Sequence, residues 1–164
     1  SPLLNLQGEV VGLVADVIGG PAGIGGIGVA VPGDLVAQSI ADLERFGVPQ
    51  RGWLGASLIS LDELPPVLLR AVGLTSTQGA MVDRVEPGSP AARAGLKGAQ
   101  RDTQGRLLAL GDVILAVDGV AVKDKADVVR LVAQRRPGDR VRLTLWRDRR
   151  RLEVTVVLMA RPRE

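Results

Sequence analysis

Alternation of apolar and polar residues divides the chain into short strands separated by glycine and proline signals. Leu3 to Val14 reads as two strands around an Asn5-Leu6-Gln7-Gly8 turn, a β-hairpin. A glycine-rich loop runs from Ile18 to Gly28, and Gly28 to Pro32 is a short strand halted by proline. Asp34 is expected to cap a helix running to about Phe46, with Gly47 ending it. Trp53 to Ile59 predicts one strand, and Asp62 to Val72 one short helix with Pro65 and Pro66 in its opening turn. Ala80 to Val85 is a strand, and a one-turn helix reaches Ala94 and closes at Gly95. Lys97 to Arg106 reads as a polar loop. Asp112 to Val117 is a strand ended by Asp118-Gly119, a dipeptide suited to tight turns that need positive φ. An amphipathic helix covers Ala126 to Arg136 and stops at Pro137-Gly138. Arg140 to Trp146 and Leu152 to Leu158 alternate apolar and charged residues and predict an antiparallel pair.

Composition narrows the chemistry. The 164 residues contain no His and no Cys, which excludes an imidazole base, a thiolate nucleophile and any thiolate or imidazole metal site within this polypeptide. Charge is uneven: residues 1 to 50 carry five acids and one base, and residues 51 to 164 carry thirteen acids and twenty bases. Acids are interspersed among the bases, so no nucleic-acid partner is expected. The run Arg147-Asp148-Arg149-Arg150-Arg151 reads as a solvated hairpin turn. The opening residues are not expected to be a signal peptide. Val10 to Pro32 is apolar but interrupted by glycines and Pro21, so no transmembrane segment is expected.

Several strings carry a family resemblance. Arg51-Gly52-Trp53-Leu54-Gly55-Ala56, then Val85 to Leu96, then Leu110 to Gly119, then Arg135-Arg136-Pro137-Gly138-Asp139 together resemble a PDZ domain of the bacterial type attached to HtrA/DegP-family serine proteases. The loop Arg101 to Arg106 looks like the longer version found in some members. Upstream, Pro2 to Gly12 and Gly25 to Pro32 resemble the end of the same family's protease domain, just after its nucleophile motif. By this resemblance residues 1–47 are the C-terminal remnant of a trypsin-like protease domain, 48–50 a linker and 51–164 a PDZ domain. The implied fold class is α+β: a partly open β-barrel with two or three helices, preceded by terminal strands and a helix of a trypsin-like barrel.

The resemblance also implies function. The parent would be a serine endopeptidase of the cell envelope or periplasm acting in protein quality control, which sequence upstream could anchor to the membrane. Ser1 falls two places after the nucleophile, so this chain holds no catalytic residue and is expected to be inactive as it stands. Peptides or unfolded-protein C-termini would bind by β-augmentation with micromolar affinity. The amides of Leu54, Gly55 and Ala56, in the loop from Trp53, would receive the terminal carboxylate, with Arg51 a possible helper. Ser57, Leu58 and Ile59 would pair with the peptide, and Val128 with either Leu131 or Val132 would line an apolar pocket. Ile18, Gly19, Gly20 and Ile24 would be what remains of a protease specificity loop. Self-association through the first 46 residues, or packing against the rest of the protease, is the other expected partnership.

Three rival chemistries have some residues in their favour. Gly23-Ile24-Gly25-Gly26-Ile27-Gly28 has the spacing of a dinucleotide fingerprint, but a strand and Pro32 are expected before any helix, so nucleotide binding is disfavoured. Asp112 and Asp118 stand beside glycines and read as turn residues, not as catalytic carboxylates. Lysine-assisted serine chemistry through Lys97, Lys123 or Lys125 lacks a serine in a recognisable elbow. No cofactor and no metal are called for.

Overall fold

The computed structural model describes residues 1–18 and 26–162 and forms two compact units, Ser1–Gln50 and Arg51–Glu164. Gly19, Gly20 and Ile24, and Gly23 and Gly25 of the glycine run, lie outside the described residues. Among the described residues no helix is long and apolar enough to cross a membrane.

In the first unit β1 (Pro2–Leu4), β2 (Val10–Ile18) and β3 (Ile27–Pro32) form an antiparallel sheet in chain order, followed by α1 (Gly33–Phe46). The β1–β2 turn is held by Asn5, whose carboxamide oxygen accepts from the amides of Gln7 and Glu9 at 3.0 and 2.9 Å. Asp34 is not the cap: Pro32 occupies that position, and Asp34 lies in the first turn with its carboxylate accepting from Leu35 N at 2.8 Å. There its charge faces the positive end of the helix dipole. Gly47 does end the helix, at φ 73 with its amide donating to Leu43 O. Beyond it the buried Asp42 carboxylate accepts from Gln50 N at 3.0 Å, folding the following segment back on the helix.

In the second unit an antiparallel sheet runs in the order β12-β11-β9-β6-β5: β12 (Arg150–Val157), β11 (Arg140–Arg147), β9 (Val113–Val117), β6 (Ala80–Val85) and β5 (Ala56–Ser60). The sheet does not close, so β5 and β12 are both terminal strands. Three small pieces complete it: β10 (Val120–Ala121) on β9, β4 (Gly52–Trp53) on β13 (Met159–Ala160), and β7 (Gln100–Arg101) on β8 (Leu107–Ala109). Helices α2 (Pro66–Ala71), α3 (Pro90–Arg93) and α4 (Lys125–Ala133) connect the strands.

Four expectations are corrected here. The strand expected at Trp53–Ile59 is two, β4 and β5, broken at Leu54-Gly55 where Gly55 takes φ 75. The helix expected at Asp62–Val72 is a 3₁₀ turn, Leu61–Glu63, followed by α2. Leu64 precedes Pro65 and Pro65 precedes Pro66, and both are held extended, at ψ 147 and 129, by the residue that follows. The polar loop from Lys97 contains β7. Helix α4 stops at Ala133, short of Pro137, because Asp139 captures the amide of Arg136 at 2.8 Å in a turn of its own.

The sheet packs on both faces. One face, with α3 and α4, builds a core of Leu54, Val82, Ile114, Val128, Val132 and Leu143 among others, and the opposite face packs Leu61, Leu69, Leu74, Met81 and Val113 with Trp146 against it. The β11–β12 hairpin turn takes positive φ at Asp148 and Arg149 (50 and 58), and it is not simply solvated. Arg147 donates to Asp112 through Nε (2.7 Å) and Nη2 (2.6 Å), and to Gly95 O at 2.8 Å. Arg149 Nη2 and Trp146 Nε1 donate to Ala71 O and Val72 O, satisfying carbonyls at the end of α2. The Asp112 ion pair holds the Arg147 guanidinium above its ordinary pKa against the opposing effect of burial. Asp118 serves its turn at φ 48 and accepts from Arg142 N and Arg135 Nη2.

Candidate functional site

Strand β5 lies at the end of its sheet, with β6 on one side and no strand among the described residues on the other. Hydrogen bonds on its inner side settle what that outer edge presents. Glu86 N donates to Gly55 O and Leu61 N donates to Gly79 O, which makes Ala56↔Val85 and Ser60↔Ala80 the non-bonded pairs of the antiparallel ladder. The irregularity in register falls between Ser57 and Leu58, with Leu58↔Val82 and Ile59↔Met81 following it. By alternation the N–H and C=O groups of Ala56, Leu58 and Ser60 therefore point away from β6, toward the open edge.

Helix α4 runs antiparallel beside that edge, and both of its ends are tied. At its start Lys125 N donates to Ser60 Oγ at 3.0 Å and Lys125 Nζ to both Glu63 carboxylate oxygens at 2.8 and 3.2 Å. That hydrogen bond, with the attraction of the charge, holds the Glu63 carboxyl below its usual range against an opposing desolvation. Lys125 Nζ is thus committed to Glu63, and Ser60 accepts the Lys125 backbone amide, so Ser60 and Lys125 form no side-chain pair. At the other end Gly52 N donates to Arg135 O at 2.6 Å, and a Cβ on Gly52 would come within 2.7 Å of Val132 O. Only glycine permits this approach of β4 to the helix end.

Trp53-Leu54-Gly55-Ala56 forms the turn that opens β5. Leu54 is buried and its carbonyl accepts from Ala91 N at 2.9 Å, fixing the turn on α3. Gly55, at φ 75, faces Ser89 and the Trp53 ring, and a Cβ there would overlap the Ser89 side chain and touch Trp53 at 3.0 Å. Ser89, fully engaged as the cap of α3 through Ala92 N, is a wall of this turn that sequence reading alone did not single out.

The helix side differs from expectation. Val128 and Val132 are buried in the core, and Leu131 is partly buried against it, so of the three expected pocket residues only Leu131 keeps exposed surface. The accessible apolar residue of α4 is Val129, 60% exposed. It lies one turn beyond Lys125, on the side of the helix whose Lys125 side chain reaches Glu63 beyond β5. Arg51 is exposed, and no contact places it at the turn. The described end of the glycine run, Gly26 to Gly28, leads into strand β3, not into a helix. Ile18 closes β2 opposite Ile27.

Comparison with known proteins covers nearly the whole chain. It is 32% identical over 163 residues to a probable periplasmic serine endoprotease, DegP-like, of Brucella suis, covering 99% of this chain and 29% of that protein. Against the corresponding protein of Halomonas elongata it is 35% identical over 158 residues, covering 96% and 30%. The chain therefore spans about a third of the curated relatives it matches. Among solved structures, an HtrA-type protease, AlgW with tripeptide, superposes with a TM-score of 0.72 at 29% identity, over 99% of this chain and 49% of the other. The serine endoprotease of Yersinia pestis superposes at 0.60 and 25% identity, over 98% and 47%. The resemblance to HtrA/DegP-type proteases read from the sequence is thus shown in both sequence and fold. Residues 52–158, which hold the open strand and the turn that precedes it, match the PDZ domain family, and the chain belongs to that family.

Proposed function

We propose that Arg51–Glu164 binds the carboxyl-terminal ends of extended peptides, as the peptide-recognition module of an HtrA/DegP-like serine endopeptidase of the periplasm. The observation that carries this reading is the open edge of β5 with its outward Ala56, Leu58 and Ser60 backbone groups beside the tethered helix α4. A peptide added antiparallel to β5 completes those hydrogen bonds, and its terminal carboxylate meets the amides of the Leu54-Gly55-Ala56 turn. Its last side chain then lies on the Ala56 and Leu58 face, where Val129, one turn from Lys125, supplies exposed apolar surface of α4. The periplasmic names of the relatives and the peptides present with the AlgW structures support the assignment. The chain lacks His, so proteolysis belongs to the parent protein and not to this segment.

The test is fluorescence anisotropy of a labelled peptide ending in a free aliphatic residue, compared with the same peptide amidated at its terminus. Binding is expected near micromolar for the free acid and at least about ten-fold weaker for the amide, the loss of a charge-assisted contact. Equal affinity for the two would remove the carboxylate turn from the reading.

A second reading concerns Ser1–Gln50. Among its described residues only Gly12 and Asp42 are buried, while Leu3, Leu4, Val10, Leu13, Val17 and Ile27 are all exposed. We propose that this apolar sheet associates with a second copy of the chain. Sedimentation velocity is expected to show concentration-dependent dimers. A monomer at every concentration, with Leu3 to Val14 protected from hydrogen exchange, would contradict it.

A further inference from the structure

The pleat of β5 assigns the peptide's residues to two faces, and the second face carries a charge. Ala56 and Leu58 pack with the α4 core, whereas Ser57 is exposed and pairs across the ladder with Arg84 on β6. Ser57 and Arg84 therefore share the face turned away from α4. Among the described residues the Arg84 side chain makes no hydrogen bond or ion pair, while its neighbour Asp83 is neutralised by Arg101 at 2.6 Å. Arg84 also stands on the rim of an open surface cleft lined by Asp83, Val85, Gly98, Ala99 and Arg101. Glu86, the next residue on that face, is displaced toward the Gly55 end of the strand and forms no ion pair with it.

We propose that Arg84 selects peptides whose penultimate residue is acidic. The inference rests on the peptide-binding reading above. With the terminal carboxylate on the Leu54-Gly55-Ala56 amides, the last residue lies opposite Ala56 and the penultimate residue opposite Ser57. Directly opposed residues share a face, so the penultimate side chain stands beside Ser57, away from α4. Arg84 is then two strands from it, roughly 10 Å between backbones at the usual strand spacing. The intervening Ser57 side chain is short, leaving room for a guanidinium and a Glu carboxylate to meet above it. The charge directly across from Ser57 is positive, because Arg84 is unpaired, Asp83 is already paired and Glu86 lies farther along the strand. A penultimate carboxylate is attracted, and a penultimate lysine is repelled.

The experiment uses the full chain and three labelled peptides that differ only at the penultimate position, Glu, Gln or Lys, each ending in a free valine. Affinity is expected to fall in that order, with Glu about three- to five-fold tighter than Lys, the range for an exposed ion pair opposed to a like-charge contact. The spread should shrink at about 0.5 M NaCl. Arg84→Gln should bring the three affinities together, and Arg84→Glu should reverse their order, while binding of the Gln peptide changes little. If all three peptides bind the unaltered chain alike, or if the preference survives Arg84→Gln, the role of Arg84 is overturned and the peptide site stands. If none of the three binds, the peptide-binding reading itself falls.

Discussion

Replacing Gly55 with valine is expected to lower affinity for carboxylate-ending peptides by more than ten-fold and to cost the fold about 2–3 kcal/mol. Two physical effects act together. The backbone at φ 75 is strained for any residue with a Cβ, and most for a β-branched one, at roughly 1–3 kcal/mol. In addition the new side chain would occupy the place of Ser89, which cannot yield without losing its bond to Ala92 N and loosening α3. The Gly55 carbonyl accepts from Glu86 N, so a displaced turn also disturbs the first hydrogen bond between β5 and β6. Calorimetric titration of the variant, at a temperature where circular dichroism shows it folded, separates the two effects. Unchanged affinity in a folded variant would show that the turn does not hold the carboxylate. Gly55→Ala should show the same pattern at smaller amplitude.

Asp112→Ala should be the most damaging change to the stability of the second unit, at about 3–5 kcal/mol by urea denaturation. The Asp112 side chain is only 1% exposed and accepts from Arg147 Nε and Nη2 and from Lys97 N. Its loss leaves a partly buried guanidinium with only Gly95 O and an amide with no acceptor, and removing one partner of a buried pair costs more than the pair itself contributes. Asp112 is adjacent to β9, Lys97 follows α3 and Arg147 ends β11, so one carboxylate joins three parts of the fold. Asp112→Asn, which keeps an acceptor but not the charge, should lose a smaller part of the stability. A loss below about 1 kcal/mol for the alanine variant would mean that Arg147 finds another acceptor.

Much of the local structure was legible because its signals are local. Gly47 ends α1, Asp118-Gly119 makes its turn, and the Arg140–Trp146 and Leu152–Leu158 segments pair, each from residues close in sequence. The turn at Trp53 to Ala56 was found through its resemblance to a family string, yet the break it makes between β4 and β5 was not, since the surrounding apolar residues read as one strand. Consecutive prolines divided a helix that periodicity alone runs together. On α4 the apolar residues 128, 129, 131 and 132 cover too much of the circumference to fix which side is buried. Packing against the sheet buries Val128 and Val132, and the side-chain tie from Lys125 to Glu63, 62 positions apart in sequence, turns the neighbouring face with Val129 toward the end of β5. The Asp112–Arg147 pair was hidden for the same reason, because an arginine in a charged run gives no sign of a carboxylate 35 residues away.

The placement of the two tryptophans makes the protein its own optical instrument. There is no tyrosine, so intrinsic emission under ultraviolet excitation comes essentially from Trp53 and Trp146. Trp53 adjoins the turn before β5, where an arriving peptide changes the local solvent and dipoles. Trp146 is fastened by its indole N–H to Val72 O and packs with the core of the opposite sheet face. Occupancy of the groove and integrity of the fold are thus written into two separate chromophores.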